Sequence, residues 1–275
     1  MPIREMTPAD MRTVLQWARD EGWNPGAGDD VFYLPADPGG FFVAERDGRL
    51  IGSIGMPLFG DHYAVAGLFI VEPPLRGGPT GAALVRHALA HAGERVIGTD
   101  GVLERADDYA RLGFEAAHSH HRYSGVPDGR LTPDITDLAS VDANAVVALD
   151  AACFPGDRRS FMRAWIAAPH VTLVSVDTSG MPDGFAVARP AAAGWRVGPL
   201  LAPDAERAAA LVRAVALVAP GEEIHLDINT GNSDAVAMAR DIGLVPGFEC
   251  VRMYRGGIPT LPMDQIFAAC TLELG

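Results

Sequence analysis

Apolar and polar positions switch between helix and strand periods along the first 126 residues of the chain. After Thr7, apolar residues recur on one helical face, and the Thr-Pro-Ala-Asp start supplies a hydroxyl cap, a first-turn proline and an acid. A hairpin signal at residues 46–49 joins two apolar runs, and Tyr63–Val71 is a long apolar strand. A second helical face runs from Leu84 to Ala92. The order of these elements predicts a mixed α/β fold.

The second half of the chain repeats this order in a weaker form. The two halves end in similar segments, ARLGFEAAHSHHRYSG and ARDIGLVPGFECVRMYRG. A diverged tandem repeat is the simplest explanation of this similarity. We therefore predict one domain over residues 1–126, a linker over residues 127–133 and a second domain over residues 134–275.

Composition narrows the classes of partner. The net charge of −13 argues against a nucleic-acid surface or an anionic membrane, and it fits a cationic small substrate. The sequence has no lysine, which excludes a Schiff-base lysine and a Walker phosphate loop. Three widely spaced cysteines favour a reducing compartment over a disulfide framework. With no apolar leader and no membrane-length apolar run, we expect a cytoplasmic protein.

The turn after the long apolar strand carries the clearest chemical signal. It contains Arg76, Gly77, Gly78 and Gly81, and a helix begins directly after it. Glycines let backbone N–H groups approach a ligand, and a helix N-terminus adds positive potential. The arrangement suits a pyrophosphate, although a plain glycine-rich turn would have the same spacing. It does not match the dinucleotide fingerprint, which has the pattern GxGxxG.

Two motifs in this half resemble the GNAT superfamily of acyl-CoA-dependent N-acyltransferases. The turn Arg76-Gly77-Gly78-Pro79-Thr80-Gly81 is similar to the family's [QR]-x-x-G-x-[GA], and Tyr109-Ala-Arg-Leu-Gly-Phe114 is similar to its Tyr-x-x-x-Gly-Phe. A narrower branch is similar at residues 17–26 (WARDEGWNPG), 37–42, 98–102 and 122–125. In that branch a second acetyltransferase-like domain follows. The resemblance implies tandem GNAT-like domains, each a twisted, mostly antiparallel sheet flanked by helices.

The resemblance also implies that acetyl-CoA is the acyl donor and that no metal takes part. Pro79 departs from the family pattern because it has no N–H, which removes one donor from the turn. The cofactor-binding residues implied by the resemblance are Phe69, Ile70, Val71, Arg76, Gly77, Gly78, Thr80, Gly81 and Ala82.

The implied reaction is direct transfer, in which a neutral amine attacks the thioester carbonyl and the CoA thiolate leaves. Backbone N–H groups near Phe69–Val71 would polarise the carbonyl. Tyr109 stands where the family places the acid that protonates the thiolate, and an aromatic helix anchor is the alternative role. Asp100, at a strand end facing the expected cleft, is the candidate base. The loop that covers the acceptor site in this fold carries the candidate substrate-binding residues Trp23, Asn24, Asp29 and Asp30. A solvated carboxylate or a loop staple is the alternative for each of these.

Two further groups of residues are expected to bind no ligand. His118, His120 and His121 show no partner ligand for a metal, so we expect surface histidines. In the second half, the equivalent turn has Asp204 and Glu206 in place of arginine and glycines, which would repel a pyrophosphate. We therefore predict that the second domain does not bind CoA.

The sequence thus predicts an enzyme that moves an acetyl group from acetyl-CoA to a primary amine of a small molecule. A CoA-binding regulatory pseudoenzyme and a protein N-acetyltransferase remain alternatives. A homodimer is a possible assembly, and neither nucleic acid nor membrane is expected as a partner.

Overall fold

The computed structural model describes residues 1–167 and 169–275. The first half forms, in chain order, β1 (Ile3–Glu5), α1 (Pro8–Asp20), α2 (Asp30–Ala36), β2 (Phe41–Arg46), β3 (Arg49–Gly55), β4 (Leu58–Phe59), β5 (Tyr63–Val71), α3 (Pro79–Ala92), β6 (Val96–Val102), α4 (Ala106–Arg111) and β7 (Glu115–Gly125). The second half forms β8 (Ile135–Asp137), α5 (Ala143–Cys153), α6 (Arg159–Trp165), β9 (Val171–Val176), β10 (Pro182–Pro190), β11 (Trp195–Leu201), α7 (Ala205–Val218), β12 (Ile224–Asn229), α8 (Ser233–Asp241), β13 (Val245–Arg255) and β14 (Ile266–Ala268).

Local signals in the sequence set the start of the first helix. The Thr7 hydroxyl accepts a hydrogen bond from the Asp10 N–H, and the Asp10 carboxylate accepts one from the Thr7 N–H. This reciprocal capping box satisfies two N–H groups that a helix start otherwise leaves unpaired. Met11, Val14 and the other apolar residues of this face are buried against the sheet, as the sequence pattern predicts.

The fold is mixed α/β with a mainly antiparallel sheet, which confirms the predicted fold class. Within the described residues, 14 strands join one sheet in the order β1-β2-β3-β5-β6-β13-β7-β12-β14-β11-β10-β9-β8, with β4 paired to β5. The pairs β5–β6 and β11–β12 are parallel. Helices pack on both faces of the sheet, with α1 against the side of Val43 and α3 against the side of Phe42 and Ala44. Among residues 1–167 and 169–275, none of the helices has the length and apolar character of a membrane span.

The two halves exchange their last long strands. Strand β13 of the second half lies between β6 and β7 of the first half, and β7 pairs with β12 of the second half. Each half therefore completes the sheet of the other. The sequence boundary at residue 126 does not coincide with a boundary in the sheet.

The buried core follows the same arrangement. One cluster of apolar side chains includes Met11 and Leu15 of α1, Trp165 of α6 and Val187 of β10. A layer shared by the helices of both halves thus lies on one face of the sheet. Burial of apolar surface is the main favourable term in folding, so this shared layer couples the stability of the two halves.

Candidate active site

Strands β5 and β6 separate in the middle of the sheet. Their parallel pairing runs from Tyr63 opposite Val96 to Ala66 opposite Thr99, and then β5 turns away. Leu68 adopts a left-handed conformation with a φ of 49°, and the register between β3 and β5 shifts at this point. A non-glycine residue in this region marks a bulge, which is a device common beside active sites. A gap between the two strands opens beyond residue 66.

The backbone direction along β5 decides which groups face the gap. The Glu72 N–H donates to the Ile51 carbonyl of β3 at 3.1 Å. Backbone N–H and C=O groups point to alternate sides along a strand, so those of Ile70, two residues earlier, also point toward β3. The backbone N–H and C=O groups of Phe69 and Val71 therefore point toward the gap. Of the three residues predicted to polarise a carbonyl here, these two have the suitable backbone direction.

The glycine-rich turn lies at the open end of the gap. Gly77 is in the left-handed region with a φ of 76°, and α3 begins at Pro79 after Gly78. The N–H groups of Arg76 and Gly78 donate within the turn to Pro73 and Leu75, each at 3.3 Å. The first N–H groups of a helix have no partner inside it, which leaves those of Thr80 and Gly81 for a ligand. Ala82 follows in the same turn and is exposed.

The arginine of the turn is already held by protein groups. The Arg76 Nε donates to the Val71 carbonyl at 2.9 Å, and Nη2 pairs with the Glu21 carboxylate. Both side chains of this ion pair remain partly exposed. Arg76 is therefore oriented across the end of the gap, and an incoming phosphate would compete with Glu21 for its guanidinium.

Tyr109 lies over the point where the two strands part. Its ring packs on Gly101 so closely that a Cβ there would overlap it, and its hydroxyl is near Thr99. The Thr99 hydroxyl in turn donates to the Ala66 carbonyl at 2.9 Å. Burial raises the pKa of Tyr109 above its usual value. The side chain therefore stays protonated at neutral pH and can donate a proton into the gap.

Asp100 is placed differently from the free base that the sequence predicts. It is buried on the face of β6 opposite Tyr109, where its carboxylate accepts from Arg252 Nε at 3.0 Å and Nη2 at 2.5 Å, and pairs with His120 Nδ1 at 2.7 Å. Burial raises its pKa, but Arg252 and His120 outweigh that effect and bring it to about 2. A carboxylate with so low a pKa accepts a proton poorly at neutral pH.

The histidine prediction is wrong for the residue beside this carboxylate. His120 is a buried side chain, 4% exposed, whose Nδ1 pairs with Asp100. His118 is half-buried next to it, with ring centroids 5.1 Å apart, and burial together with His120 and Arg252 lowers its pKa to about 3. The sequence does contain a signal for this buried role. His118 and His120 are at alternate positions of β7, a strand that enters the core shared by the two halves.

Asp100, His120 and Cys250 also bring potential ligand atoms within 4.8 Å of one another. Arg252 already occupies both oxygens of the carboxylate, and burial raises the pKa of the Cys250 thiol. A metal needs deprotonated ligands, so this trio fits an ion pair better than a metal.

The first loop holds the two halves together in this structure. Asp29 is fully buried, pairs with Arg189 at 2.9 Å and accepts from the Gly26 N–H at 2.9 Å. Asn24 exchanges two hydrogen bonds with the backbone of Ala193. The structure therefore commits these two side chains to the second half and leaves neither for a cationic amine.

The other two predicted substrate-binding residues are Trp23 and Asp30. Trp23 packs against the shared core, and its carbonyl accepts from Arg122 at 2.7 Å. Asp30 begins α2 and is partly exposed.

In the second half, the equivalent gap is filled by the chain itself. Strands β11 and β12 pair in parallel up to Val197 and Leu226, and β14 then enters between them. Ala268 of β14 is opposite both Leu200 and Ile228. The N-terminus of the following helix, α7, also has a protein partner. The Asp204 carboxylate caps it by accepting a hydrogen bond from the Arg207 N–H at 2.8 Å. In the second half, the gap and the start of the helix after it are thus occupied by groups of the chain itself.

A cavity lies on the Asp100 side of the sheet, between the two halves. It is small, with about 50 Å³ of space that a water-sized sphere can occupy, and it opens to solvent. Its lining includes His118 and His120 of β7, Arg252 of β13 and Arg158 after α5. Residues 271–275 run from β14 past this cavity to β5, where a Cβ on Gly67 would overlap the backbone of Glu273. The cavity therefore borders the gap from the face opposite Tyr109.

Sequence comparison identifies a family for each half. A model described as acetyltransferase (GNAT) family matches residues 9–114, and one described as acetyltransferase (GNAT) domain matches residues 146–268. The chain is 26% identical over 269 residues to the holothin acyltransferase of a Pseudoalteromonas strain, covering 97% of this chain and 92% of the relative. It is also 26% identical over 209 residues to the uncharacterized N-acetyltransferase YitH of Bacillus subtilis, covering 74% and 73% of the two chains.

Solved structures share the whole fold. A putative acetyltransferase from Pyrococcus horikoshii superposes with a TM-score of 0.83 at 20% identity, covering 100% of this chain and 95% of the other. A tandem GNAT protein from the clavulanic acid biosynthesis pathway superposes with a TM-score of 0.64 at 17% identity, covering 94% and 99%. The tandem arrangement is thus a known fold.

Proposed function

The chain is a tandem protein of the GNAT acetyltransferase family, and from that premise we propose that its first half is the active unit, an N-acyltransferase. We propose acetyl-CoA as the donor and a primary amine of a small molecule as the acceptor. The observation that carries this proposal is the contrast between the two gaps. The gap between β5 and β6 is open and ends in a glycine-rich turn, whereas the gap between β11 and β12 is filled by β14.

The open gap fits the donor substrate. The Phe69 and Val71 backbone groups are directed into it, in the positions where an extended amide chain could pair as an extra strand. The Thr80 and Gly81 N–H groups and the Arg76 guanidinium at its end suit a pyrophosphate, and the missing N–H of Pro79 reduces that set by one. Gly81 also packs against the Phe69 ring, which a larger side chain would displace.

The transfer step needs an acid, a base and carbonyl polarisation, and we propose a group for each. The amine nitrogen attacks the thioester carbon, and the carbonyl oxygen takes up negative charge next to the β5 N–H groups. The carbon–sulfur bond then breaks, and Tyr109 donates its proton to the leaving thiolate. The proton lost by the amine goes to the Nε2 of His120. Proton exchange with solvent restores both side chains.

His120 replaces Asp100 as the proposed base because of their hydrogen bond. A neutral imidazole whose Nδ1–H donates to a carboxylate has its free lone pair on Nε2. Asp100 would fix this tautomer and ring orientation, and Arg252 would hold Asp100 in turn. Asp100 is thus proposed as a positioning residue.

The nature of the acceptor is supported by one relative and by one feature of the structure. The relative is a holothin acyltransferase, similar over nearly the whole of both chains, which favours a small molecule. The feature is the position of the cavity between the halves, with Cys270 and Gly275 of the last segment in its lining. A peptide substrate would need an open groove instead.

Release of thiol from acetyl-CoA against a panel of amines tests the proposal. We expect turnover that falls by about 100-fold or more in Tyr109→Phe, with little change in the KM for acetyl-CoA. Tyr63→Phe is the matched control, because the buried Tyr63 hydroxyl has no hydrogen-bond partner among the described residues. Tight CoA binding without turnover on a broad panel would support a regulatory pseudoenzyme instead.

A further inference from the structure

The cavity between the halves is too small for most amines in the conformation of this structure. Its free space is about 50 Å³ for a water-sized sphere, and one water needs roughly 10–15 Å³ of such space. The cavity therefore has room for about four non-hydrogen atoms. A larger acceptor can enter only if one of the walls moves.

The cavity nevertheless lies where the proposed acceptor has to enter. His120, the proposed base, is part of its lining, and so is Arg252 on the neighbouring strand β13. A Cβ on Gly275, another lining residue, would be 3.4 Å from the Val65 side chain of β5. The cavity borders the gap from the face opposite Tyr109. An acceptor that entered through one of its walls would be beside both His120 and the gap.

Most of the walls are held by several contacts each. His120 and Arg252 belong to β7 and β13, which lie inside the sheet. Arg158 donates to both oxygens of the buried Asp150 at 2.8 and 2.9 Å, and its guanidinium lies over the Phe154 ring, 3.7 Å from the centroid. The chain after β14 is almost entirely buried. Movement of any of these walls would break buried contacts.

The wall formed by the segment between β13 and β14 is held by fewer contacts. Among the described residues, no backbone hydrogen bond joins residues 257–262 to a residue outside 257–265. Gly256 and Gly257 have left-handed φ values of 92° and 114° where this segment leaves β13. Its other end is fixed where the Asn232 amide donates to the Asp264 carbonyl at 3.1 Å. Segments with exposed backbone, few partners and a hinge at one end open locally at low cost.

The same segment covers one side of the cavity. Leu261 and Met263 belong to the lining and are partly buried, whereas Ile258 is 50% exposed. This wall therefore consists of two apolar side chains on a backbone with few partners.

We propose that residues 257–263 form a lid over the acceptor site, which swings about Gly256 and Gly257 to admit the amine and closes on it with Leu261 and Met263. This inference rests on the proposed function. The lid allows the site to take acceptors larger than the cavity, because opening costs mainly the burial of two apolar side chains. On closing, these side chains contact the acceptor in place of the cavity walls.

A size series of amines on the full chain tests the lid by activity. A rigid wall would limit turnover to amines of up to about four non-hydrogen atoms, such as propylamine. With the lid, we expect kcat/KM for hexylamine and benzylamine to be at least equal to that for propylamine, because the closing side chains add apolar contact. Turnover of propylamine with a loss of about 100-fold or more for both larger amines would overturn the lid. If no amine is acetylated, the proposed function fails, and thiol labelling decides on the lid.

Thiol labelling tests the lid without turnover. The native cysteines Cys153, Cys250 and Cys270 are buried, so labelling of Leu261→Cys by a bulky disulfide reagent reports on the introduced thiol. Under a closed lid this thiol faces the cavity, and we expect it to react about tenfold more slowly than the thiol of Ile258→Cys. Equal rates in the two variants would show that position 261 is uncovered and would overturn the lid.

The hinge is tested by adding Gly257→Ala to Leu261→Cys. An alanine at a φ of 114° strains the closed conformation, so labelling at position 261 should be about tenfold faster. Gly180→Ala is the matched control, because Gly180 has a φ of 82° in the turn between β9 and β10, and a Cβ at either glycine would meet no atom within 4 Å. The control should leave the labelling rate unchanged. An unchanged rate with Gly257→Ala, or an equal acceleration with Gly180→Ala, would overturn the lid.

Discussion

Removal of the Asp100 carboxylate tests how the two halves are joined. Asp100 is on β6 of the first half, and Arg252 is on β13 of the second half, with side chains only 1% and 6% exposed. The carboxylate accepts two hydrogen bonds from the guanidinium and pairs with His120. In Asp100→Asn, the guanidinium stays buried without its counter-ion, because β13 is held between two strands.

The expected loss is large on the scale of protein stability. Removing one partner of a buried ion pair costs about 3–5 kcal/mol of unfolding free energy. Arg252→Met should cost a similar amount, and the double variant should lose about 2 kcal/mol less than the sum, because neither charge is then left alone. Denaturant unfolding followed by circular dichroism measures all three changes.

The control for this series is an ion pair in the solvent. Asp108 pairs with Arg111 at 2.7 Å, but the two side chains are 43% and 73% exposed. Asp108→Asn should therefore change stability by no more than about 0.5 kcal/mol. If Asp100→Asn stayed within about 1 kcal/mol of the parent, the buried pair would be absent in solution and the reasoning would be refuted.

Three further predictions concern the strand exchange, the turn and a histidine. Residues 1–126 expressed alone should lack a cooperative unfolding transition, and co-expression with residues 127–275 should restore it; an independently stable first half would contradict the exchange. Glu21→Gln should lower the Kd for CoA about threefold by releasing Arg76, as titration calorimetry would show, and weaker binding would count against that competition. Unfolded His118 takes up a proton as the pH falls below 6.5, whereas the folded residue does so only near 3, so stability declines across this range. His118→Gln should make the decline shallower in pH-dependent denaturation, and an unchanged slope would argue against a depressed pKa.

Features with local causes could be predicted from the sequence. The capping box at Thr7, the hairpin around Asp47–Gly48 and the strand Tyr63–Val71 depend on neighbouring residues, and the structure has them where the pattern indicates. The glycine-rich turn is also local, because the strand before it and the helix after it follow directly. Helix Asp30–Ala36 has no clear signal in the sequence, because it is short, follows a glycine-rich loop and contains Pro35.

Features with distant causes could not be predicted in this way. The three residues Ile266–Ala268 form a strand only because the gap between β11 and β12 receives them. Asp100 lies inside β6 rather than at its end, and its role depends on Arg252, which the strand exchange brings from far along the chain. The polar residues in otherwise apolar strands were the available signal. Their partners could be named only once the strand order was known.

Hydrogen–deuterium exchange in the presence of saturating CoA tests the central claim most directly, because it locates the ligand along the chain. We predict slower exchange of backbone amides within residues 69–82, and no change over residues 195–207, where β14 and the Asp204 carboxylate occupy the equivalent positions. Protection over residues 195–207, or none over residues 69–82, would contradict an active first half beside a second half that binds no CoA.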